Sequence, residues 1–548
     1  MGDRSLDGLL EWLAASGAET SAIQFAPSQY GGTGAIVTRK LKAGELLASI
    51  PHKCVLSSRL ARMSPLGKAM RRAAADLKVA DDGLCSDAVM LWTFMAVGRR
   101  DPSNPFHAYL LSLPEESPEP ACWSDNLRRE LSSTPAGVAV AAARAFVHEV
   151  FERFVSQLPG KLGEKLVPRG CLCSAVELLW ARGMCLSRAF PEALASASAA
   201  GGEPVFLKHG PDGTQTGGGN ESGDEGGGGI EAGGGTDANA PGCLLPLFDM
   251  LNHKRSQPLT WVGSPDGGVC FHTDVRLDAG SEVFNNYGDR PNEELLFSYG
   301  YCVQDNPDDA VLVSLVTAFP DAEGMAAGAQ PTRESFYVRR SESGGVPVEL
   351  LQALSRSFRA FRAAKRAAGE VEDDEEEEHE GAAGEEGEEG EEEELVLGAD
   401  EVGMLLETLH RKLEALGGFE EHDQRLLRKH KKKQQEQGQG KAQGKAQGKA
   451  QGKAQGQQQQ PQGQQLTKAE RKRKRNEGDA SEASASSAAD VSSSESSAQA
   501  AREQEASRRL SIAMYREGLR VVLVEAIHSL EELLGDGDEG DGEEEDDE

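Results

Sequence analysis

The sequence predicts an α+β protein in which a helical segment interrupts a β-rich part and a second helical region follows. Alternating stretches at 34–51 and 274–287 each predict two short strands around a glycine-containing turn, at 42–44 and 278–280. Between these two blocks the apolar residues follow helical spacing, as at Leu84, Ala88, Leu91, Trp92 and Met95. Two helical stripes follow in the last third of the chain, one formed by Val402, Leu405, Leu406, Leu409, Leu413 and Leu416, the other by Leu519, Val522, Leu523, Ala526, Ile527, Leu530 and Leu534.

The N-terminus predicts an amphipathic helix, because four leucines, Leu6, Leu9, Leu10 and Leu13, lie at the spacing of one buried helix face. We expect ordered structure to begin near Met1, which leaves no room for a signal or transit peptide of about 15 to 30 residues. No apolar run approaches the roughly 20 residues of a membrane helix. These features predict a protein of the cytoplasm, the nucleus or both, without membrane association.

The charge of the chain is concentrated in a few segments. Removing the 17 acids of 370–394 and the 10 acids of 536–548 changes the formal charge from −32 to −5, so the folding part is nearly balanced and predicts no broad nucleic-acid surface. Basic runs at 428–433 and 471–475 fit nuclear import, RNA or a solvated arm, and we favour the arm because no aromatic residues are interleaved with them.

The cysteines predict free thiols and no metal centre. All nine are scattered, without a CxxC pair or a matching His-x3-His. Cys171 and Cys173 are close enough to share a metal but lack further ligands at suitable spacing. Asp249, Asn252 and His253 form a second candidate cluster, which the residues alone leave open as a catalytic group, a metal site or a structural strand end.

Three segments together resemble the SET-domain methyltransferases: YGGTGAIVTRKLKAGE at 30–45, PLFDMLNH at 246–253 and NNYGDRPNEELLFSYGY at 285–301. The match is best with the subgroup of the Rubisco large-subunit lysine methyltransferase, in which a helical insertion splits the SET domain. The resemblance implies a β-rich SET fold with a pseudoknot, followed by an all-α substrate-binding domain with disordered inserts.

The implied boundaries are an N-terminal helix and the first part of the SET domain at 1–57, the helical insertion at 58–199, a Gly-rich loop at 200–242, the second part of the SET domain at 243–304, the helical substrate-binding domain at 305–535 with disordered inserts at 368–396 and 430–500, and an acidic tail at 536–548.

The resemblance implies S-adenosylmethionine as methyl donor, with no metal. Position by position, the residues that it assigns to the donor are Gly31, Gly32, Thr33, Arg188, Asp249, Asn252, His253 and Tyr299. Small residues at the first three positions permit close approach of the backbone, and an arginine suits the donor carboxylate. The Asn-His pair can meet the adenine edge, whereas Asp249 is expected mainly to orient its neighbours.

Tyr299 and Tyr287 are the catalytic residues that the resemblance implies. Methyl transfer to an amine is an in-line displacement, so the protein must align the reacting atoms and present a neutral amine. A narrow channel, for which Phe297 is a third candidate, would lower the pKa of a lysine by desolvation. Tyrosine and carbonyl oxygens can then stabilise the partly positive methyl group.

The leading hypothesis is therefore a protein-lysine methyltransferase acting as a monomer on a non-histone protein that carries a target lysine. Histidine methylation is the alternative within the subgroup, although the actin-modifying branch has a smaller residue where this chain has Tyr299. A binding protein that kept the SET fold without activity is the third hypothesis, against which the complete set of site residues argues.

Overall fold

The computed structural model of the chain describes residues 4–28, 33–80, 82–171, 174–192, 194, 206–209, 215–218, 242–264, 267–317, 332–368, 398–451 and 482–535. These residues belong to two compact units. The first comprises Met1–Leu416 and Gly518–Glu548, and the second comprises Gly417–Glu517.

Strands occupy both ends of the first β-rich block and only 282–285 of the second. The strands are β1 Ile23–Pro27, β2 Thr33–Val37, β3 Leu46–Ile50, β4 Leu56–Ser57, β5 Ala189–Phe190, β6 Phe206–His209, β7 Gln215–Gly218, β8 Cys243–Leu244, β9 Asn252–His253, β10 Leu259–Gly263, β11 Val269–Thr273, β12 Glu282–Asn285, β13 Ala310–Thr317 and β14 Thr332–Arg339.

Helices fill the insertion and the C-terminal region. They are α1 Arg4–Ala15, α2 Ser58–Met63, α3 Pro65–Asp76, α4 Asp87–Gly98, α5 His107–Ser112, α6 Asp125–Leu131, α7 Pro135–Arg153, α8 Leu158–Leu162, α9 Ala175–Arg188, α10 Asn292–Tyr299, α11 Val348–Ala368, α12 Ala399–Leu416, α13 Glu420–Gln451 and α14 Glu482–Gly535.

Hydroxyl side chains begin most helices of the insertion. The side chains of Ser57, Ser64, Ser86, Thr134 and Ser174 each accept a hydrogen bond from a backbone N–H of the first turn. A cap of this kind satisfies an amide that has no partner inside the helix and contributes about 1 kcal/mol. The insertion thus has strong local start signals, and its apolar faces supply much of the main core.

The described part of the chain contains four sheets. Their strand orders are β1-β2-β12-β9, β3-β11-β10-β6-β7, β4-β8-β5 and β13-β14. Strands β9 and β12 run parallel, with Asn252 opposite Phe284 and His253 opposite Asn285, whereas β12 pairs with β2 in the antiparallel sense. Strand β12 therefore connects the first β-rich block to the Asn-His segment.

The two repeated strand-turn segments pair with each other. Leu41 and Leu277 form an antiparallel bridge, and the turn glycines, Gly44 and Gly280, have φ values of +80° and +85°. Each glycine N–H donates to the carbonyl at the end of the strand before the other turn. Positive φ carries little steric cost for glycine, so the repeated Ala-Gly dipeptide fits this reciprocal arrangement.

The structure corrects the strand prediction for these segments. Strands β2 and β3 lie in different sheets, and 274–277 is not a strand but contributes only the bridge at Leu277. Sequence alternation shows that a strand can form, but partners more than 200 residues away decide which sheet it joins.

The region 305–535 is also not purely helical. It begins with the antiparallel pair β13 and β14, each of eight residues. Both strands are rich in β-branched and aromatic residues, which favour an extended backbone. Helical backbone is present at 430–451 and 482–500, within the insert at 430–500 for which the sequence predicts disorder, and that disorder stays a prediction.

The predicted Gly-rich loop lies largely outside the described residues, as does most of the acidic insert, and the acidic tail lies wholly outside them. Of the helices in the described ranges, none combines the length and the apolar character needed to cross a membrane.

Candidate active site

A cavity of about 120 Å³ lies beside the end of α9 and the end of α10. Its lining combines apolar side chains with a larger set of polar ones. The lining residues are Ser187, Arg188, Ala189, Phe190, Pro191, Leu194, Phe248, Asp249, Trp261, Asn285, Asn286, Tyr287, Arg290 and Tyr299.

Arg188 enters the cavity lining as the last residue of α9. A capping box between Ser174 and Glu177 fixes the beginning of this helix. The Arg188 Nη1 donates to the backbone carbonyl of Asp249 at 2.8 Å and lies 3.4 Å from its Oδ2. The guanidinium is therefore tied to the turn that precedes the Asn-His pair.

Asp249 lies in the short 3-10 turn Phe248–Met250, with its side chain fully buried. Its Oδ2 accepts a hydrogen bond of 2.8 Å from the hydroxyl of Tyr109. Burial raises the pKa of the Asp249 carboxyl, while the charge of Arg188 and the bond from Tyr109 oppose that rise. Asp249 thus joins α5 and α9 at one point.

The side chain of Asn252 is fixed on β9 by the neighbouring strand. Its Nδ2 donates to Glu282 Oε1 at 2.7 Å, and Glu282 Oε2 accepts from Ser28 Oγ at 3.0 Å. A Cβ at Gly34 would lie 2.3 Å from the Glu282 carboxylate. The glycine of β2 is therefore needed for the close approach of this carboxylate.

Three rings form a stack beginning at His253. The ring centroids of His253 and Tyr287 lie 4.9 Å apart at 24°, and those of Tyr287 and Tyr299 lie 4.5 Å apart at 15°. The Tyr287 backbone N–H donates to His253 Nδ1 at 3.0 Å, and its hydroxyl donates to the carbonyl of Leu251 at 2.9 Å.

The protonation states of the stack are set by burial. Burial, with the nearby charge of Arg290, lowers the pKa of His253 to about 4, so the imidazole is neutral at neutral pH and its Nδ1 can accept the amide hydrogen. Burial also raises the pKa of both Tyr287 and Tyr299. Both hydroxyls therefore remain protonated and able to donate hydrogen bonds.

Helix α10 carries Tyr299 on its last turn, and both ends of the helix are held. At the beginning, Asn292 donates to Asp309 from its backbone N–H at 2.7 Å and from its Nδ2 at 2.9 Å. At the end, Gly300 has φ +73°, and a Cβ there would lie 2.1 Å from the Pro118 carbonyl oxygen. These contacts fix the position of the tyrosine.

Four of the residues that the sequence singles out line the cavity together: Arg188, Asp249, Tyr287 and Tyr299. Asn252 and His253 are not in the lining but are joined to it, Asn252 by the pairing of β9 with β12 and His253 through the Tyr287 ring. Thr33 is exposed at the start of β2. Gly31 and Gly32 lie outside the described residues.

Phe297 was expected to line the channel with Tyr287 and Tyr299, but it is not in the lining of the cavity. The Arg182 guanidinium lies 5.5 Å from its ring centroid, and Arg182 forms a buried ion pair with Glu119. Phe297 therefore packs towards the insertion. Its position two residues before Tyr299 places it on another face of α10, because successive residues of a helix are 100° apart.

Sequence reasoning missed several contributors to the site. Tyr109 holds Asp249 from 140 residues away, and Glu282 is the partner of Asn252. Asn286 and Arg290 line the cavity. The polar sequence around Tyr287 was the only local signal for the last two, whereas Tyr109 lies in a mainly apolar helix and gave none.

Three buried polar atoms of the cavity residues have no hydrogen-bond partner in the part of the chain that the structure describes. They are Arg188 Nε, Asn286 Nδ2 and Asp249 Oδ1. Two are donors and one is an acceptor. Because a buried polar atom without a partner costs about 1–3 kcal/mol, this set is suited to a ligand that has both acceptor and donor groups.

No protein-family model matches the chain. A ribosomal lysine N-methyltransferase of Schizosaccharomyces pombe, set10, is 41% identical over 87 residues, 16% of each chain. The protein-lysine N-methyltransferase EFM1 of Saccharomyces cerevisiae is 38% identical over 69 residues, 12% of each chain. The actin-histidine N-methyltransferase of Xenopus tropicalis is 21% identical over 345 residues, 61% of this chain and 50% of the relative. The matches thus span half or less of these relatives' own length.

The solved structures show the same architecture over almost the whole length. The SET domain of LSMT bound to lysine and AdoHcy aligns with a TM-score of 0.54 and 14% identity, covering 98% of this chain and 93% of the other. Rubisco LSMT bound to AdoMet aligns with a TM-score of 0.54 and 14% identity, covering 97% and 93%. The chain therefore has the SET-domain fold of the Rubisco LSMT structures, and the fold predicted from its motifs is confirmed.

Proposed function

We propose that the chain is a protein-lysine N-methyltransferase that uses S-adenosylmethionine. The observation that carries the proposal is one cavity whose lining joins the stacked rings of Tyr287 and Tyr299 to the Arg188–Asp249 pair. The tyrosines supply hydroxyls beside an aromatic surface, and the charged pair supplies recognition of a polar ligand.

The unpartnered atoms fit the amino-acid end of the methyl donor. A carboxylate can accept hydrogen bonds from Arg188 Nε and Asn286 Nδ2, and an ammonium group can donate to Asp249 Oδ1. The neutral His253 and the amide of Asn252 remain our candidates for the nucleoside end, together with Gly31, Gly32 and Thr33.

S-adenosylmethionine, when bound, would supply a methyl group on a sulfonium sulfur, which would pass to an attacking amine while the sulfur leaves as a neutral thioether. The amine must be neutral to attack, so its proton has to leave for solvent before the N–C bond forms and the S–C bond breaks. We assign the lowering of the amine pKa to the buried faces of Tyr287 and Tyr299, since desolvation disfavours the ammonium form. The Tyr299 hydroxyl then orients the amine or stabilises the moving methyl group.

The relatives support a protein substrate, because they are named as ribosomal and protein-lysine methyltransferases. The monomeric state, the cytoplasmic or nuclear location and the absence of nucleic-acid recognition belong to the same proposal. Size-exclusion chromatography with light scattering tests the first, and imaging of a tagged chain in cells tests the second. Binding of labelled RNA at physiological salt tests the third.

Methylation of a protein histidine is the second candidate function. Its support is the longer match, over 345 residues, to the actin-histidine N-methyltransferase. The size of Tyr299 favours lysine, because the tyrosine ring and its stacked partner occupy space that a flat imidazole would need.

Three measurements test the proposal. Calorimetry should detect binding of S-adenosylmethionine to the purified full chain, and tritiated donor should then label protein in a cell lysate. Mass spectrometry of the labelled protein should find methyl-lysine. Methylhistidine alone would contradict the choice of residue, donor binding without any transfer would support a binding protein, and absence of donor binding would overturn the proposal as a whole.

A further inference from the structure

Tyr109 of the helical insertion contacts Asp249, one member of the Arg188–Asp249 pair of the cavity. Its side chain is 1% exposed and does not line the cavity. Its hydroxyl donates to Asp249 Oδ2 at 2.8 Å. The contact is therefore a buried hydrogen bond from a neutral donor to a carboxylate, which is stronger than a bond between two neutral groups.

Helix α5, which carries Tyr109, is held firmly in place. The His107 ring contacts the Gly98 carbonyl through Nδ1 at 3.0 Å, so α5 is tied to the end of α4. Phe106, just before α5, packs its ring 5.9 Å from Trp12 of α1 and 6.2 Å from Phe94 of α4. The Tyr109 hydroxyl is consequently presented from a fixed position.

Only one oxygen of the Asp249 carboxylate has partners within the described residues. Oδ2 meets both the Tyr109 hydroxyl and, at 3.4 Å, Arg188 Nη1, whereas Oδ1 has no partner within the described residues. The same Nη1 donates to the Asp249 carbonyl, and Arg188 Nε has no such partner there. The bond from Tyr109 thus selects which carboxylate oxygen is occupied and which stays available.

We propose that Tyr109 is a positioning residue for donor binding, which fixes the Asp249 carboxylate and, through it, the Arg188 guanidinium. The inference rests on the proposed function for the identity of the ligand, an amino acid with a free carboxylate and ammonium. Its structural part, the hold of Tyr109 on Asp249 and Arg188, concerns the unliganded chain.

The role proposed for Tyr109 predicts a measurable change in the pKa of Asp249. The titratable groups that face it are Tyr109 from α5, Arg188 from α9 and Tyr287 after β12, and Cys185 of α9 faces Tyr109. The bond from Tyr109 lowers the pKa of Asp249 against the effect of burial. Without the hydroxyl the pKa of Asp249 should rise, so protonation would release Arg188 at a higher pH.

Tyr109→Phe in the full chain tests the proposal by donor affinity. We expect the Kd for S-adenosylmethionine to increase about tenfold at pH 7, the loss of one charge-assisted hydrogen bond, with kcat at saturating donor little changed. The matched control is Thr93→Val on α4, which also removes a buried hydroxyl, here one that donates to Val89 of its own helix at 2.8 Å. The control should leave the Kd unchanged.

A second measurement does not depend on donor binding. The Nε–H signal of Arg188, observed by NMR in ¹⁵N-arginine-labelled chain and assigned with Arg188→Lys, should shift as Asp249 titrates. In Tyr109→Phe this titration should move to higher pH, and in Asp249→Asn it should vanish. Adding Tyr109→Phe to Asp249→Asn should then change neither the signal nor the Kd.

An unchanged Arg188 titration in Tyr109→Phe, or equal effects of Tyr109→Phe and Thr93→Val, would overturn the positioning role. If the wild-type chain binds no donor but Tyr109→Phe still moves the Arg188 titration to higher pH, the proposed function is contradicted while the hold of Tyr109 on Arg188 stays supported.

Discussion

Tyr299 is the residue whose hydroxyl we expect to matter most for turnover. Tyr299→Phe removes this hydroxyl but keeps a ring that can stack on Tyr287 at the present 4.5 Å. Donor affinity should persist, because Arg188 and Asp249 are unchanged, while kcat should fall about 100-fold or more, as when one transition-state donor is lost. Calorimetry and methyl-transfer assays measure the two quantities separately.

The matched control for Tyr299 is Tyr301→Phe. The Tyr301 ring lies 6.2 Å from that of Tyr299, yet it does not line the cavity. Loss of the Tyr301 hydroxyl should lower kcat far less than loss of the Tyr299 hydroxyl. Wild-type turnover in Tyr299→Phe would refute the catalytic assignment.

Gly300 combines two constraints that can be separated by experiment. Its φ is +73°, and a Cβ would lie 2.1 Å from the Pro118 carbonyl oxygen. Gly17 has a similar φ of +86° with nothing within 4 Å of a Cβ. Alanine at Gly17 therefore adds only backbone strain, about 1 kcal/mol, whereas alanine at Gly300 also adds a clash that costs about 1–3 kcal/mol more.

Urea unfolding of the two alanine variants measures the difference directly. Gly300→Ala should lose clearly more free energy of unfolding than Gly17→Ala, and because α10 must move, it should also lose turnover. Equal losses would show that the contact with Pro118 relaxes without cost.

At the scale of elements, the beginning of α10 is bonded to a carboxyl group with an altered pKa, that of Asp309 just before β13. Burial raises the pKa of Asp309 to about 7, although its bonds from Asn292 oppose the rise. Because the folded pKa exceeds the unfolded value, the folded chain binds more protons between roughly pH 4 and pH 7. The contribution of Asp309 to stability should therefore decrease as pH rises through this window and then level off.

Asp309→Asn removes this titration and supplies the comparison. Between pH 5 and pH 8 the Tm of the wild type should fall by several degrees relative to the Tm of the variant, in line with about 2–8 °C per kcal/mol. All other titrating groups are common to both chains and cancel. A difference that stays constant over this range would show that Asp309 has an ordinary pKa.

Helices that depend on local spacing and capping could be predicted from the sequence. The sheet to which a strand belongs could not, because it depends on partners far away in the chain. The helices of the insertion follow from spacing and caps such as Ser86 and Ser174. The assignment of β2 and β3 to different sheets was not predictable, because their partners lie in the second β-rich block. The pair β13–β14 was missed although both strands are rich in β-branched and aromatic residues, since the strong helical stripes further along dominated the prediction for that region.

The same distinction applies to the site. Arg188, Asp249, Tyr287 and Tyr299, which the motifs single out, line one cavity, whereas their roles towards the donor and in catalysis stay predictions. No pattern pointed to Tyr109, because a tyrosine in an apolar helix resembles ordinary core until the fold brings it to Asp249. Contacts of this kind depend on tertiary packing, which a single sequence does not reveal.

At the scale of the whole molecule, α14 contributes buried residues to both compact units. Within the second unit, Arg516 forms a buried ion pair with Asp423, with bonds of 2.6 and 2.8 Å. Within the first unit, Arg520 donates to the Leu416 carbonyl at 3.1 Å. These contacts make the second half of α14 part of the folded structure, although the segment that precedes α14 is of low complexity.

A chain ending at Leu510 should consequently fail to fold as a stable protein. It would lose the buried side chains of α14, namely Ile512, Ala513, Tyr515, Leu519, Val522, Leu523, Ala526 and Leu530. Each large one contributes about 1.5–3 kcal/mol by burial, so the six large ones together contribute about 9–18 kcal/mol, which is as large as the usual net stability of about 5–15 kcal/mol. The control is a chain ending at Gly535, which lacks only 13 residues, ten of them acidic, and should keep the wild-type Tm because so charged a segment has little to bury. Circular dichroism and light scattering distinguish the outcomes: a monomeric chain ending at Leu510 with a cooperative, wild-type transition would show that both units fold without the end of α14.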